Sequence, residues 1–221
     1  AMDAELDALY SDAERLLSDE SVADDDDVKR NLVDAAIEKA TELVRRSPDN
    51  PDFHHLLGVA WYHHPDKTDA RLGHIRSALQ RALSLDPKHQ FANQYLGYIN
   101  FDVADYADAY EHFATTDHAF FVSVDQKWRS LKAIELAFVC RLRLGRDVDL
   151  DNLNRFFASY LAEEREQIPN TVVPIELRRC AEWLFDQTGD LDAEPLRSIV
   201  GFLHDSGDLA RSDHSGLKAA R

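Results

Sequence analysis

Apolar residues recur at helical spacing along most of the chain. Leu6, Leu9, Tyr10, Ala13, Leu16 and Leu17 form a first stripe at i, i+3, i+4 and i+7. Leu32, Val33, Ala36, Ile37, Ala40, Leu43 and Val44 form a second, and Phe53, Leu56, Leu57, Ala60 and Trp61 a third. Three more follow: Leu72, Ile75, Leu79, Ala82 and Leu83; Phe91, Tyr95, Leu96, Ile99 and Phe101; and Tyr106, Ala109, Tyr110 and Phe113. Breakers separate them: an acidic stretch at 18–27, Ser47-Pro48-Asp49-Asn50-Pro51, Pro65 and Asp86-Pro87. The pattern predicts an all-α chain, and connections of two to six residues predict antiparallel neighbours.

Past Thr116 the texture changes. Phe120-Phe121-Val122-Ser123-Val124 has strand propensity, but it is short and alone, which predicts a packed connector over 118–125. A helix with Trp128, Leu131, Ile134, Phe138 and Leu142 stops at Gly145. Asp149 or Asp151 caps a helix with Leu153, Phe156, Phe157, Tyr160 and Leu161. Pro174 opens one with Leu177, Cys180, Ala181, Leu184 and Phe185, and Asp192 caps the last, with Leu196, Ile199, Val200 and Leu203. The organisation expected is helix pairs over 1–117, a packed helical extension over 118–206 and a polar tail over 207–221.

Within the first part, 53–85 and 91–114 share a layout. Each opens with a helix carrying Leu-Gly, as Leu57-Gly58 and Leu96-Gly97, 39 residues apart. A mid-helix glycine costs about 1 kcal/mol, so a packing reason is expected: the close approach of the two helices of a pair. Here the chain resembles the tetratricopeptide repeat family, whose unit of about 34 residues has Leu-Gly and an aromatic in its first helix. Ala and an aromatic follow in its second helix, and a Pro closes it. Leu57, Gly58, Ala82 and Pro87 match in one unit, with Trp61 in the aromatic place and five extra residues near His63-His64-Pro65-Asp66-Lys67. Leu96, Gly97, Ala109 and Phe113 match in the next, with Asn100 where the aromatic belongs and no closing Pro, while Pro48 fits the end of a preceding unit. The resemblance is clearest over 50–116. It implies antiparallel pairs in a right-handed superhelix, with additional C-terminal helices, that binds a peptide or partner helix on its concave face. By repeat phase, Asp52, His55, Val59 and Tyr62 line that face in one unit and Phe91, Gln94, Tyr98 and Phe101 in the next. His55, Tyr62, Phe91, Gln94, Tyr98 and Phe101 are the candidate partner-binding residues. The face lacks the Lys, Arg and Asn of the family's clamp for a C-terminal carboxylate.

Charge narrows the partner. Asp and Glu outnumber Lys and Arg 41 to 25, a net charge of −16, which disfavours nucleic acid and anionic membrane and favours a partner carrying basic residues. The run Asp24-Asp25-Asp26-Asp27 lacks the alternation and glycine of a calcium loop and is expected to cap the second helix. Asp147-Val148-Asp149-Leu150-Asp151 begins like such a loop, but Asn152 and Ala158 stand at its sixth and twelfth positions, so a cap is expected there too. Ten histidines invite a metal reading, yet no His-x3-His, HExxH or Cys-x2-Cys occurs. No nucleophile elbow or phosphate-binding loop is present, so a non-enzymatic role with no cofactor or metal is expected. Two cysteines, Cys140 and Cys180, and no signal-peptide pattern point to a reducing, cytoplasmic setting. Two other readings stay open: an acidic inhibitor or immunity-type protein neutralising a basic partner, and a helical enzyme or metal-binding domain.

Overall fold

A computed structural model of the chain describes residues 3–162 and 175–205. The expected polar tail and Pro174 lie outside the described residues, and the helix expected to open at Pro174 is described from Ile175. Among those described, the chain is all-helical and falls into two compact units, Ala1–Ile99 and Asn100–Arg221. The unit boundary lies inside a helix, whereas the change of sequence texture comes at Thr116.

The first unit holds α1 (Ala4–Ser21), α2 (Asp26–Arg46), α3 (Pro51–His63), α4 (Asp69–Leu85) and most of α5 (Gln90–Asp102). Each of the first four begins where a short polar side chain accepts an orphan N–H. Asp3, Asp25, Asn50 and Thr68 cap α1 to α4, and Asp25 takes two bonds, from the N–H groups of Asp27 and Val28. The aspartate run is therefore a cap, as its position implied. Cross-helix pairs establish the antiparallel order. Arg46 reaches Glu5 at 3.0 Å between α2 and α1, and Arg30 reaches Asp66 at 3.0 Å beyond the far end of α3.

Gly58 of α3 faces α4, where an added Cβ would lie 2.7 Å from Leu79 and 3.5 Å from Ala78. That close approach is the packing reason for a glycine in mid-helix. Leu43, Phe53, Ile75, Leu79, Leu96 and Ile99 are almost completely buried in the core of this unit. Arg71, 7% exposed, closes α3: its Nε donates 3.0 Å to the Trp61 carbonyl, and its Nη2 donates to the Tyr62 carbonyl. A guanidinium thus binds two carbonyls of the last turn, of which that of Trp61 also accepts the His64 N–H at 3.2 Å.

The second unit holds α6 (Tyr106–Thr115), α7 (His118–Ser123), α8 (Lys127–Arg143), α9 (Leu150–Ala162), α10 (Ile175–Thr188) and α11 (Leu196–Asp205). Two expectations fail here. The stretch read as a connector is the helix α7: Asp117 caps it through the Ala119 N–H, and Phe121 is wholly buried. Capping and one buried aromatic outweigh strand propensity where no strand is available to pair. Asp192 does not cap the last helix, because it sits in a turn, its N–H on the Asp190 carboxylate, four residues before α11 begins. Asp149, not Asp151, caps α9, accepting from the Asn152 N–H at 3.1 Å.

The core of this unit is aromatic, with Phe157 stacked on Phe202 at 4.2 Å and Tyr160 edge-on to it at 5.5 Å. Glu135 of α8, 1% exposed, accepts the Glu176 and Leu177 N–H groups at the start of α10, at 3.1 and 3.2 Å, and pairs with Lys132 at 3.1 Å. Burial raises its pKa, while Lys132 and the two N–H groups pull the other way. Cys140 and Cys180 are buried free thiols, pushed up to about 12 and about 11 chiefly by burial.

Candidate functional site

Two short runs of the first unit build an aromatic face. On α3, His55 and Tyr62 stand seven residues apart, two turns along one side. On α5, Phe91, Tyr95 and Tyr98 follow at i, i+4 and i+7. The His55 ring lies 5.7 Å from Phe91 and 5.8 Å from Tyr95. Tyr62 meets Tyr95 edge-on at 5.1 Å, and Tyr98 meets it edge-on at 5.9 Å. Tyr95 is the buried hub, while His55, Tyr62, Phe91 and Tyr98 are each partly exposed around it.

The structure thus brings together four of the six residues expected on the face. Gln94 is fully buried and offers no surface to a ligand. Phe101 packs edge-on to Tyr106 at 5.5 Å and joins the core of the second unit. Repeat phase places both on one side of a helix, but burial depends on which neighbours that side meets. Tyr95 escaped the reading as a site residue because its spacing also fits the core stripe; its i+4 and i−3 relation to Phe91 and Tyr98 was the available signal.

Both ends of the face are held. His89 precedes α5 and caps it with its ring: Nδ1 accepts the Ala92 N–H at 3.1 Å. That bond leaves the proton on Nε2, which donates to Asp52 Oδ1 at 3.0 Å. Asp52, near the start of α3, is held below the usual carboxylate range by the His89 hydrogen bond, against partial burial. The His89 ring also lies 4.9 Å from His55. At the other end Arg71 holds the Tyr62 carbonyl and lies over the Tyr62 ring, 5.7 Å from its centre.

The other histidines of this unit link single pairs of segments, and His64 also accepts the Asp66 N–H on its Nδ1 at 3.1 Å. His54 bonds the Pro48 carbonyl at 2.7 Å, His63 bonds Glu20 at 3.0 Å, and His64 bonds Asp34 at 3.2 Å. His74 stacks on Trp61 at 4.2 Å. Among the described residues no group of three or more His, Cys, Asp or Glu side chains converges on a position that could hold a metal ion. No described helix is long and apolar enough to cross a membrane. No family model matches the sequence, and a search of curated proteins returns no match.

Proposed function

We propose that the protein is a non-enzymatic interaction module of the reducing cytoplasm. In this reading the first unit is a tetratricopeptide-like array of helix pairs, and its aromatic face binds a peptide or partner helix carrying basic residues. The observation that carries the reading is the cluster of His55, Tyr62, Phe91 and Tyr98, partly exposed and packed around Tyr95. Large aromatic rings give much contact area for few rotatable bonds, and rings already held in place lose little freedom on binding. The basic preference follows from charge. The first unit carries 19 acidic against 11 basic residues, and exposed Asp52 stands beside the face.

The test is capture from the native host, identification of the partner by mass spectrometry, and titration with the purified partner. Tyr98→Ala and Tyr62→Ala are expected to weaken binding by about 1–2 kcal/mol each, and added salt to weaken it further. Wild-type affinity in both folded variants would remove this face from consideration.

A further inference from the structure

The chain has two cysteines, and they lie on helices that pack against each other, Cys140 on α8 and Cys180 on α10. Two contacts fix how these helices run. At the start of α10, Glu135 of α8 accepts the Glu176 and Leu177 N–H groups, at sequence separations of 41 and 42. Farther along, the Arg143 guanidinium lies over the Trp183 ring at 4.6 Å, a separation of 40. The separation stays nearly constant as both helices advance, so α8 and α10 run parallel and in register. Cys140 and Cys180, also 40 apart, fall between the two contacts. Cys140 is five residues past Glu135 and three before Arg143; Cys180 is three past Leu177 and three before Trp183. The two thiols therefore stand at one level of the helix contact.

Both cysteines are 0% exposed, beside buried Leu136, Val139, Leu177 and Ala181 on the same two helices. Charge on Cys180 adds to the rise in the Cys140 pKa, so the sulfurs are within electrostatic reach of one another. A buried free cysteine is commonly a small apolar filler and nothing more. Here, however, the two cysteines of the chain come from distant segments and meet at one level of one contact.

We propose that Cys140 and Cys180 are a modification site, a pair that forms a reversible disulfide with a low-molecular-weight disulfide as oxidant and so locks α10 onto α8. The Cys180 thiol loses its proton, and its sulfur attacks one sulfur of the oxidant, whose S–S bond breaks to release one small thiol. The Cys140 thiol then loses its proton, and its sulfur attacks the Cys180 sulfur, releasing the second small thiol. The protein pair is oxidised by two electrons, the small disulfide is reduced to two thiols, and two protons pass from one to the other. Cys180 reacts first, because the Arg143 guanidinium offsets part of the cost of burying its thiolate. Burial keeps both thiols unreactive until the α8–α10 contact opens, so the lock closes only under sustained oxidation. Once formed, the bond closes a loop of about 40 residues and restricts the unfolded chain. The site lies in the other unit from the aromatic face and is independent of what that face binds, so it goes beyond the preceding reading.

The test incubates the reduced full chain with 2-hydroxyethyl disulfide, with urea added below the unfolding transition to speed opening. The product is denatured in N-ethylmaleimide and weighed by intact mass spectrometry. A monomer that carries neither reagent is expected, and dithiothreitol should return both thiols. Trp183 fluorescence, in a variant lacking Trp61 and Trp128, should show the urea midpoint rising by about 1 M on oxidation. Cys140→Ala and Cys180→Ala should each abolish that rise. Two free thiols at the end of the incubation would make the cysteines core fillers and overturn the proposal. Two mixed disulfides, or a disulfide-linked dimer, would mean that the sulfurs cannot reach each other, and would overturn it too. So would a cross-link that lowers the midpoint, since α8 and α10 would then have to leave their register to form it. All of these outcomes are read on a chain that keeps both cysteines, so the test stands even if an alanine variant fails to fold.

Discussion

The two units are all-helical but are held together by different chemistry. In the first, helix ends are fastened by polar links across the pairs: Arg46 to Glu5, Arg30 to Asp66, His63 to Glu20, His64 to Asp34 and His89 to Asp52. In the second, stacked aromatics fill the core, and one buried carboxylate, Glu135, secures the start of α10. An exposed pair such as Arg30–Asp66 contributes about 0–1 kcal/mol, so the exposed links of the first unit set geometry more than stability. A buried charged group is different, because removing it strands its partners.

The largest expected effect tests that contrast. Glu135→Ala leaves the Glu176 and Leu177 N–H groups without their acceptor and Lys132 without its buried partner, and should cost the second unit about 3 kcal/mol. Chemical denaturation followed by fluorescence reads it, using single-tryptophan variants that keep Trp183 for the second unit or Trp61 for the first. An equal loss at both probes would mean the units unfold together, and the comparison would lose its basis.

Arg71→Met comes next. It removes the donors that close α3 and should cost the first unit about 2 kcal/mol, since hydrogen bonds to charged groups contribute roughly 1.5–3 kcal/mol. The Trp61 probe should shift and the Trp183 probe should not. Gly58→Ala follows. Overpacking against Leu79 costs about 1–3 kcal/mol, and the better helix propensity offsets about 1, leaving a net loss of about 1 kcal/mol in thermal unfolding. A net gain would mean that Leu79 yields and the α3–α4 approach is looser than 2.7 Å implies.

The smallest effect is a pH dependence in the second unit. Burial lowers the His112 pKa below the ordinary 6.5, against the nearby Asp108 and Glu111 carboxylates. The unfolded chain therefore binds the proton more readily than the folded one. The contribution from neutral His112 is complete above 6.5 and is lost as pH falls from there through the folded value. His112→Gln should flatten the acid side of the stability profile of the second unit; an unchanged profile would exclude His112 as its cause.

How much of this was legible depends on range. Helix positions and the caps at Asp25 and Asp149 followed from residues within a few positions of one another, and so did the glycine at 58 with its need for a close neighbour. The readings that went astray also turned on contact. Phe120-Phe121-Val122 is strand-like in isolation, but Asp117 and a buried Phe121 make it a helix. Asp192 has the composition of a cap but lies in a turn stabilised by Asp190.

By itself the sequence determined the all-helical class, the pairing of short-linked neighbours and the acidic charge, because periodicity and capping are local properties. Only the tertiary structure decided that Gln94 is buried while Tyr98 is not, that Phe101 belongs to another core, and that Arg71 and Glu135 close helices to which they do not belong. It also decided that Cys140 and Cys180 stand at one level of the α8–α10 contact. Each of these depends on which helices meet, and contacts between distant segments leave no periodic mark along the chain.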